Sequence, residues 1–405
     1  MIELTPGQAE LLDKIVKWFR SCEAGTNKSD EHPQYFAYSG AAGCGKTTVI
    51  KEFLKALNLH DDYIGCAFTG KAVLQLLKNN LNARTIHSLI YRLVPHTEYN
   101  PEYGKLMTTF SFEKKDRLDK DYRLIIVDEA PMVNDETCAD LLSFKIPIIF
   151  LGDMNQLPPV FGRCTIMENP NHILTQIMRQ SEDNPIIQLS QMVLKGIPLL
   201  EGHYGSSVVT RSFAVDEGIL KNYDQIITVK NRVRAMINTI CRNQLLHFEN
   251  NEPRLFDKII CRQNNWNISK NGYYLTNGTS GFITDIDRSK LGSGYYLMNF
   301  HPDFLPDGVD FRKLHVDADY IKSTHEEQKN TRRLKNEKME YSYAITVHLS
   351  QGSEYNRVLY IDDFFGSEEL TRKARYTAIT RAIDSITIVS TMNNDNFRQR
   401  RYYYN

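Results

Sequence analysis

Gly40-Ala41-Ala42-Gly43-Cys44-Gly45-Lys46-Thr47 is the stretch on which the reading of this chain turns. It fits G-x-x-x-x-G-K-[ST], a pattern that means something only between a strand and a helix. Both neighbours are present. Residues 35–38 (Tyr, Phe, Ala, Tyr) form a short apolar run, and residues 48–57 carry helical spacing. In that setting the glycines Gly40, Gly43 and Gly45 let backbone N–H groups, with that of Thr48, wrap phosphate oxygens at a helix N-terminus. Lys46 brings a point charge to the outer phosphates, and the Thr47 hydroxyl suits Mg²⁺. ATP and Mg²⁺ are therefore the expected cofactors.

Working outward, apolar runs at 63–68, 124–127 and 146–151 alternate with a helical stretch at 71–79. Strands alternating with helices predict an α/β domain with a parallel sheet covered on both faces. The run at 124–127 ends in Asp128-Glu129, at the strand end where such sheets bind ligands. Asp128 would hold the metal and Glu129 would polarise an attacking water. The run at 146–151 ends in Gly152-Asp153, followed by Gln156, Leu157, Pro158 and Pro159, and Gln156 could report on the outermost phosphate. Further runs at 225–229, 344–347, 358–361 and 386–389 predict a second parallel-sheet domain. Two stretches break the rhythm. Residues 90–120 are polar, aromatic and charged. Residues 257–340 alternate in the β manner, notably at 273–278, and end in a charged run at 325–338 that reads as a solvated helix or loop.

Composition sets bounds. The chain has 405 residues, 41% hydrophobic and 24% charged, with zero formal net charge. This is an ordinary globular composition, and the absent basic excess means that any nucleic-acid contact must come from local motifs. No apolar run approaches the ~20 residues of a membrane span, so no membrane association is expected. The N-terminus lacks the charged and apolar regions of a signal peptide. Seven cysteines without a C-x-x-C pair argue against zinc sites and disulfide frameworks. The expectation is a cytoplasmic protein, in host cytoplasm if phage-encoded.

The order of these motifs resembles superfamily-one helicases of the RecD-like, 5′-to-3′ branch, including its small, phage Dda-like members. The match runs through nearly the whole chain. Gln8 resembles the family's adenine-reading glutamine. Residues 67–72, with Thr69 and Lys71, and residues 85–89, with Thr85 and His87, resemble two DNA-contacting motifs. Arg179 resembles the arginine of the fourth motif. Residues 346–354, with Thr346, His348, Ser350, Gln351, Gly352 and Glu354, resemble the fifth, and residues 376–382, with Arg381, the sixth. The resemblance implies two RecA-like domains, at 1–89 with 121–165 and at 166–256 with 341–405. It also implies a β-hairpin pin at 90–120 and an SH3-like β insertion at 257–340, opening near Asn277 and Gly278. Arg179 and Arg381 would reach the γ-phosphate and stabilise charge in phosphoryl transfer. Thr69, Lys71, Thr85, His87, Thr346, His348 and Ser350 would grip single-stranded DNA, mainly through phosphate and sugar. Pro95, Phe110 and Phe112 of the pin would meet the end base pair, the two phenylalanines alternating onto one face.

The expected partners are single-stranded DNA and duplex junctions, with a single-strand-binding protein as a further candidate, and the chain is expected to act as a monomer. Without a large N-terminal extension of the RecD kind, a stand-alone, phage-type replication or recombination motor is the expected setting. The family usually carries Ser where this chain has Pro131, which removes a backbone donor beside the acid pair. Competing readings are an Upf1-like RNA/DNA helicase, whose fifth motif normally has Asp at the place of His348; a 3′-to-5′ helicase, which lacks Leu-Pro-Pro after Gln156; and a P-loop switch, which leaves the fifth and sixth motifs unexplained.

Overall fold

The computed structural model describes residues 4–25, 34–100, 105–159, 161–176, 184–212, 218–248, 251–270, 273–303, 305, 308–323 and 336–390. Arg179 and residues 325–335 of the charged run lie outside the described residues. The chain divides into two compact units, Met1–Met154 with Pro158–Met178, and Asn155–Leu157 with Arg179–Asn405.

The first unit is built on a six-stranded parallel sheet. In spatial order its strands are Ala83–Thr85, Tyr63–Ala67, Leu124–Asp128, Ile148–Gly152, Tyr35–Gly40 and His172–Leu174. The four central strands are almost wholly buried, because helices cover both faces. Side-chain alternation sorts one strand into two cores. Leu124 and Ile126 join Leu11, Ile15, Phe19 and Phe53 on one face. Ile125 and Val127 join Ile86, Ile90, Leu141 and Phe150 on the other. The first helix, Pro6–Glu23, starts at a capping box between Thr5 and Gln8, with Pro6 in the first turn.

The boundary expected at residue 165 needs correction. His172–Leu174 completes the first sheet, so this unit continues to Met178. His172-Ile173-Leu174, with only two apolar residues, gave too short a run to read as a strand.

Within 90–120, Tyr91–Asn100 pairs antiparallel with Lys105–Lys114, in register from Tyr91 opposite Lys114 to Asn100 opposite Lys105. Two side chains tether the base of this hairpin. The Tyr91 hydroxyl donates to Asp140 Oδ2 at 2.6 Å, and Lys114 Nζ donates to Ser143 Oγ at 3.0 Å.

The second unit repeats the architecture. Its sheet runs Ala344–Thr346, Gln225–Thr228, Tyr355–Asp362, Ala382–Ser390, Ser207–Thr210 and Gly202–Tyr204, parallel except for the last strand. A five-stranded antiparallel sheet is inserted into it, ordered Phe311–Asp317, Tyr295–Pro302, Ser280–Asp287, Lys258–Cys261 and Met339–Tyr341. This sheet has its own core of Ile259, Tyr296, Met298, Phe300, Leu314 and Met339.

Buried charge clamps the insertion where the chain enters and leaves it. Asp257, just before the Lys258–Cys261 strand, pairs with Arg242 at 3.1 Å, and both side chains are fully buried. Arg242 lies in a π-helical turn, Cys241–Leu245, and its guanidinium stacks 3.8 Å over the Tyr341 ring. Glu340, in the departing strand, pairs with buried Arg234. The end of the charged run differs from its expected solvated state. Glu337 is buried and accepts a hydrogen bond from Gln263 Nε2 at 2.9 Å.

Candidate nucleotide and nucleic-acid sites

Gly40 ends its strand, and the loop returns into the helix Lys46–Ala56 through left-handed backbone at Gly43 (φ 80°) and Gly45 (φ 79°). A Cβ on Gly45 would fall 2.3 Å from Gln8 Nε2, so only glycine fits there on both counts. Lys46 Nζ donates to the carbonyl oxygens of Gly40 at 2.8 Å and Ala41 at 3.2 Å, which holds the ammonium over the loop. The Tyr38 hydroxyl donates to Lys46 O at 3.0 Å and pins the helix start to its strand. Thr47 and Thr48 follow, both half-buried in the first turn.

Gln8 is placed with a duty that its family role does not describe. It is buried. Its Oε1 accepts from Thr5 N at 3.0 Å and its Nε2 donates to Cys44 O at 3.1 Å. One amide thus caps the first helix and props the phosphate loop.

Asp128 closes its strand and accepts from Glu129 N at 2.8 Å. Burial, then the neighbouring Glu129 carboxylate, push the Asp128 acid up to about 6, against the pull of Lys46. Glu129 takes left-handed backbone (φ 49°), which opens a 3-10 turn, Ala130–Met132, containing Pro131. That proline ring packs on Gly152: a Cβ there would lie 2.2 Å from Pro131 Cδ. Asp153 is fully buried, and the next residue, Met154, donates its N–H to Ser39 Oγ at 3.1 Å. The two acidic strand ends and the phosphate loop therefore sit on one sheet edge, which is the arrangement metal-assisted phosphoryl transfer requires.

Gln156 was expected beside that edge, but Asn155–Leu157 packs with the second unit. Leu157 N donates to Thr377 Oγ1 at 2.9 Å, Gln351 Nε2 donates to Leu157 O at 3.1 Å, and Leu157 enters that unit's core. Gln156 is buried, and its Oε1 has no hydrogen-bond partner. In the same unit Gly352 is left-handed (φ 72°), while Glu354 is exposed. Arg381 is 4% exposed and donates to Thr377 O, Ser353 O and Thr380 Oγ1 at 3.1–3.2 Å.

The residues expected to grip DNA fall into two turns of the same design. Ala83–Thr85 and Ala344–Thr346 are each the edge strand of their sheet. Each ends in a threonine that caps a one-turn helix. Thr85 Oγ1 accepts from Ser88 N at 3.3 Å, and Thr346 Oγ1 accepts from Leu349 N at 3.4 Å. Two residues on, His87 stands 5.6 Å from Phe68 at 69°, and His348 stands 5.7 Å from Phe365 at 66°. Burial holds both imidazoles below their ordinary pKa, so both are neutral at pH 7. Thr69 likewise caps the helix Gly70–Lys78, and Lys71 lies half-buried in its first turn.

Ser350 differs from expectation. It is fully buried and donates to Val347 O at 2.8 Å, so it braces the turn instead of facing a strand. In the hairpin, Pro95 is exposed, and Phe112 is 42% exposed near the base, opposite Leu93. Phe110 is opposite Pro95, further out; its side chain lies outside the described set. Phe68, which lies inside the 67–72 motif and was not singled out there, is 39% exposed.

Comparison with known proteins agrees with this geometry. The family described as an AAA domain matches residues 23–202, and the UvrD-like helicase C-terminal domain matches residues 341–389. The ATP-dependent RecD2 DNA helicase of Deinococcus radiodurans is 26% identical over 377 residues, covering 85% of this chain and 45% of that protein. The RecBCD subunit RecD of Buchnera aphidicola subsp. Schizaphis graminum is 25% identical, covering 87% of this chain and 70% of that one. The chain spans less than half the length of the Deinococcus relative. Among solved structures, Bacteroides Pif1 bound to ssDNA superposes with a TM-score of 0.54 at 16% identity, over 100% of this chain and 97% of that one. A structure of two coordinating Pif1 helicases at forked dsDNA gives 0.56 at 17% identity, over 99% and 97%. The fold is that of Pif1-type helicases, and the resemblance to superfamily one read from the motifs is borne out. Among the described residues, no helix is long and apolar enough to cross a membrane.

Proposed function

We propose that this chain is an ATP-driven DNA helicase that moves 5′-to-3′ along single-stranded DNA and separates duplex ahead of it, in the setting of a phage-type replication or recombination motor. The observation that carries the reading is the shared sheet edge. The Lys46 loop, Asp128-Glu129 and Asp153 lie at the ends of neighbouring parallel strands, and the threonine-capped His87 turn ends the strand at that sheet's margin. Lys46 offsets charge on the outer phosphates of ATP. Glu129 takes the proton of the attacking water. Thr47 and Asp128 are the residues that would hold Mg²⁺, which supplies charge neutralisation to the phosphates when bound; a hydroxyl and a carboxylate are the hard oxygen donors that such a cation takes. Arg179 and Arg381 are the arginines proposed to stabilise the transferring phosphoryl group.

On the DNA side, Thr69, Lys71, Thr85, His87, Thr346 and His348 position the strand without reading sequence. The hairpin is the proposed wedge, with Pro95 and Phe110 farther from its base than Phe112.

The test is unwinding of duplexes that carry a 5′ or a 3′ single-stranded tail, with ATPase measured alongside. The 5′-tailed duplex should open and the 3′-tailed one should not. Lys46→Ala should lower both unwinding and ATP turnover at least 100-fold. Unwinding from the 3′ tail alone would reject the direction, and turnover unaffected by DNA would reject the motor.

A further inference from the structure

Cys138 and Cys164 meet beside the turn that holds Glu129. They come from different elements. Cys138 lies in the helix Asp135–Leu142, and Cys164 directly precedes the short helix Thr165–Glu168. Asp135 fixes the crossing. Its N–H donates to Arg163 O at 2.9 Å, and its carboxylate accepts from Thr165 N at 2.7 Å and from the Thr165 hydroxyl at 2.8 Å. Gly162, left-handed at φ 79°, packs so closely on Asn134 that a Cβ there would lie 3.3 Å from the Asn134 Cβ. The segment is thus seated on the helix start at Asp135, and Cys138, three residues on, shares that face.

The thiols form a short relay. Cys138 S–H donates to Cys164 Sγ, and Cys164 S–H donates to Ala130 O at 3.3 Å. The donation from Cys138 holds the Cys164 thiol below its ordinary range against the effect of burial, so Cys164 gives up its proton before Cys138 does. Both thiols are buried, at 2% and 7% exposure, but Arg163 and Thr165 on either side of Cys164 are exposed. A local opening of that one segment admits a small oxidant. The relay ends at Ala130, next to Glu129, whose left-handed backbone (φ 49°) is strained for a residue with a side chain. Such strain persists only while its surroundings hold it. Ala130 O is held by two donors, Val133 N at 2.9 Å and the Cys164 thiol.

We propose that Cys138 and Cys164 are a modification site, which a hydroperoxide closes into a reversible disulfide that slows ATP turnover. The inference rests on the helicase reading and adds a control to its ATP site. In the first step Cys164 sulfur attacks the peroxide. An S–O bond forms, the O–O bond breaks, and an alcohol (water, from hydrogen peroxide) leaves with the thiol proton. Cys138 sulfur then attacks the sulfenic Cys164. The S–S bond forms, the S–O bond breaks, and water leaves with the Cys138 proton. Two electrons pass from the thiols to the peroxide, and a dithiol reductant returns them. An S–S bond of about 2.05 Å is shorter than any non-bonded sulfur contact. Closure therefore draws Cys164 toward Cys138 and removes the hydrogen that bonded Ala130 O. The Glu129 backbone loses one of its restraints, and its carboxylate loses its aim at the attacking water.

The experiment treats the reduced full chain with hydrogen peroxide. Non-reducing digestion and mass spectrometry locate any bridge, and DNA-stimulated ATP turnover is measured on the same sample before and after dithiothreitol. Wild type should yield a Cys138–Cys164 peptide, lose about tenfold in kcat with KM for ATP unchanged, and recover with dithiothreitol. Cys138→Ala should match reduced wild type in turnover and resist peroxide. Cys164→Ser, whose hydroxyl keeps a donor for Ala130 O, should resist it as well, measured against its own reduced rate. Both variants retain Cys44 of the phosphate loop, so inhibition equal to that of wild type would come from oxidation elsewhere and overturn the proposal. Cys66 also acts on Cys138, and a Cys66–Cys138 peptide, or no bridge at all, overturns it too. A Cys138–Cys164 bridge that leaves turnover unchanged overturns the control and leaves the motor standing. A reduced wild type without DNA-stimulated turnover overturns the motor reading first.

Discussion

The two insertions are fastened to their parent sheets by opposite means. The five-stranded sheet of the second unit is gripped by buried ion pairs, Arg242 with Asp257 and Arg234 with Glu340, at both crossing strands. The hairpin of the first unit is held by half-exposed rings and by two tethers to the helix Asp135–Leu142 and the residue after it, Ser143. A buried pair is costly to break singly, because the surviving charge is left without water or partner. A rim of rings and single hydrogen bonds yields in small steps. The five-stranded insertion thus has the attachment that costs more to break at a single residue, and the hairpin the one that costs less.

The comparison is broken most directly at the clamp. Arg242→Met and Asp257→Asn should each lower unfolding free energy by about 3–5 kcal/mol, read by urea denaturation. The double variant should recover part of that loss. If each single change costs under about 1 kcal/mol, the two attachments are equivalent after all. At the hairpin, Tyr91→Phe removes only a hydroxyl bound to a carboxylate and should cost about 1.5–3 kcal/mol at most. Hydrogen exchange should rise in residues 91–114 and not in the parent sheet.

Smaller effects sharpen the picture. Thr85→Ala and Thr346→Ala should cost about 1 kcal/mol each, and near-equal losses would support the equivalence of the two turns. The last effect concerns pH. Burial depresses the His87 pKa in the folded state, so the unfolded chain binds more protons below its ordinary value near 6.5. The stability from keeping His87 neutral is complete above that pH and falls as pH drops through it toward the folded value. The clamp residues include no histidine. Melting temperature followed from pH 8 to pH 5 should decline less in His87→Phe than in wild type, and identical slopes would remove His87 from the account.

Much of this was legible in the sequence because it depends on short periodicities. Fully buried parallel strands are continuous apolar runs, and the phosphate loop has fixed spacing, so Tyr35–Gly40, Leu124–Asp128 and Lys46 could be placed without coordinates. What stayed hidden depends on long-range contacts. Nothing local in Arg242 distinguishes a buried clamp from a surface arginine; a π-helical turn and a carboxylate fifteen residues on decide it. Leu157 reads as the end of a first-unit strand, yet it is held by Thr377 and Gln351. Gln8 carried a family role, and its second duty as cap and loop prop appears only when Cys44 folds against it. Phe68 looked like the end of a strand because exposure is invisible in an apolar run.

Pro131 and Gly152 carry a consequence for how such a chain can change over generations. The proline ring occupies the space that any side chain at position 152 would need. A mutation at 152 alone places a methyl against the ring and disturbs the turn that holds Glu129, whereas a smaller residue arriving first at 131 would remove the ring and leave Ala130 N, 3.1 Å away, to give by a few tenths of an ångström. The order of steps therefore matters: position 131 has to move first, and the route that starts at 152 is closed. Two positions far apart in the sequence behave as one inherited character, and an ancestor or descendant carrying alanine at 152 should be found with serine or alanine, not proline, at 131.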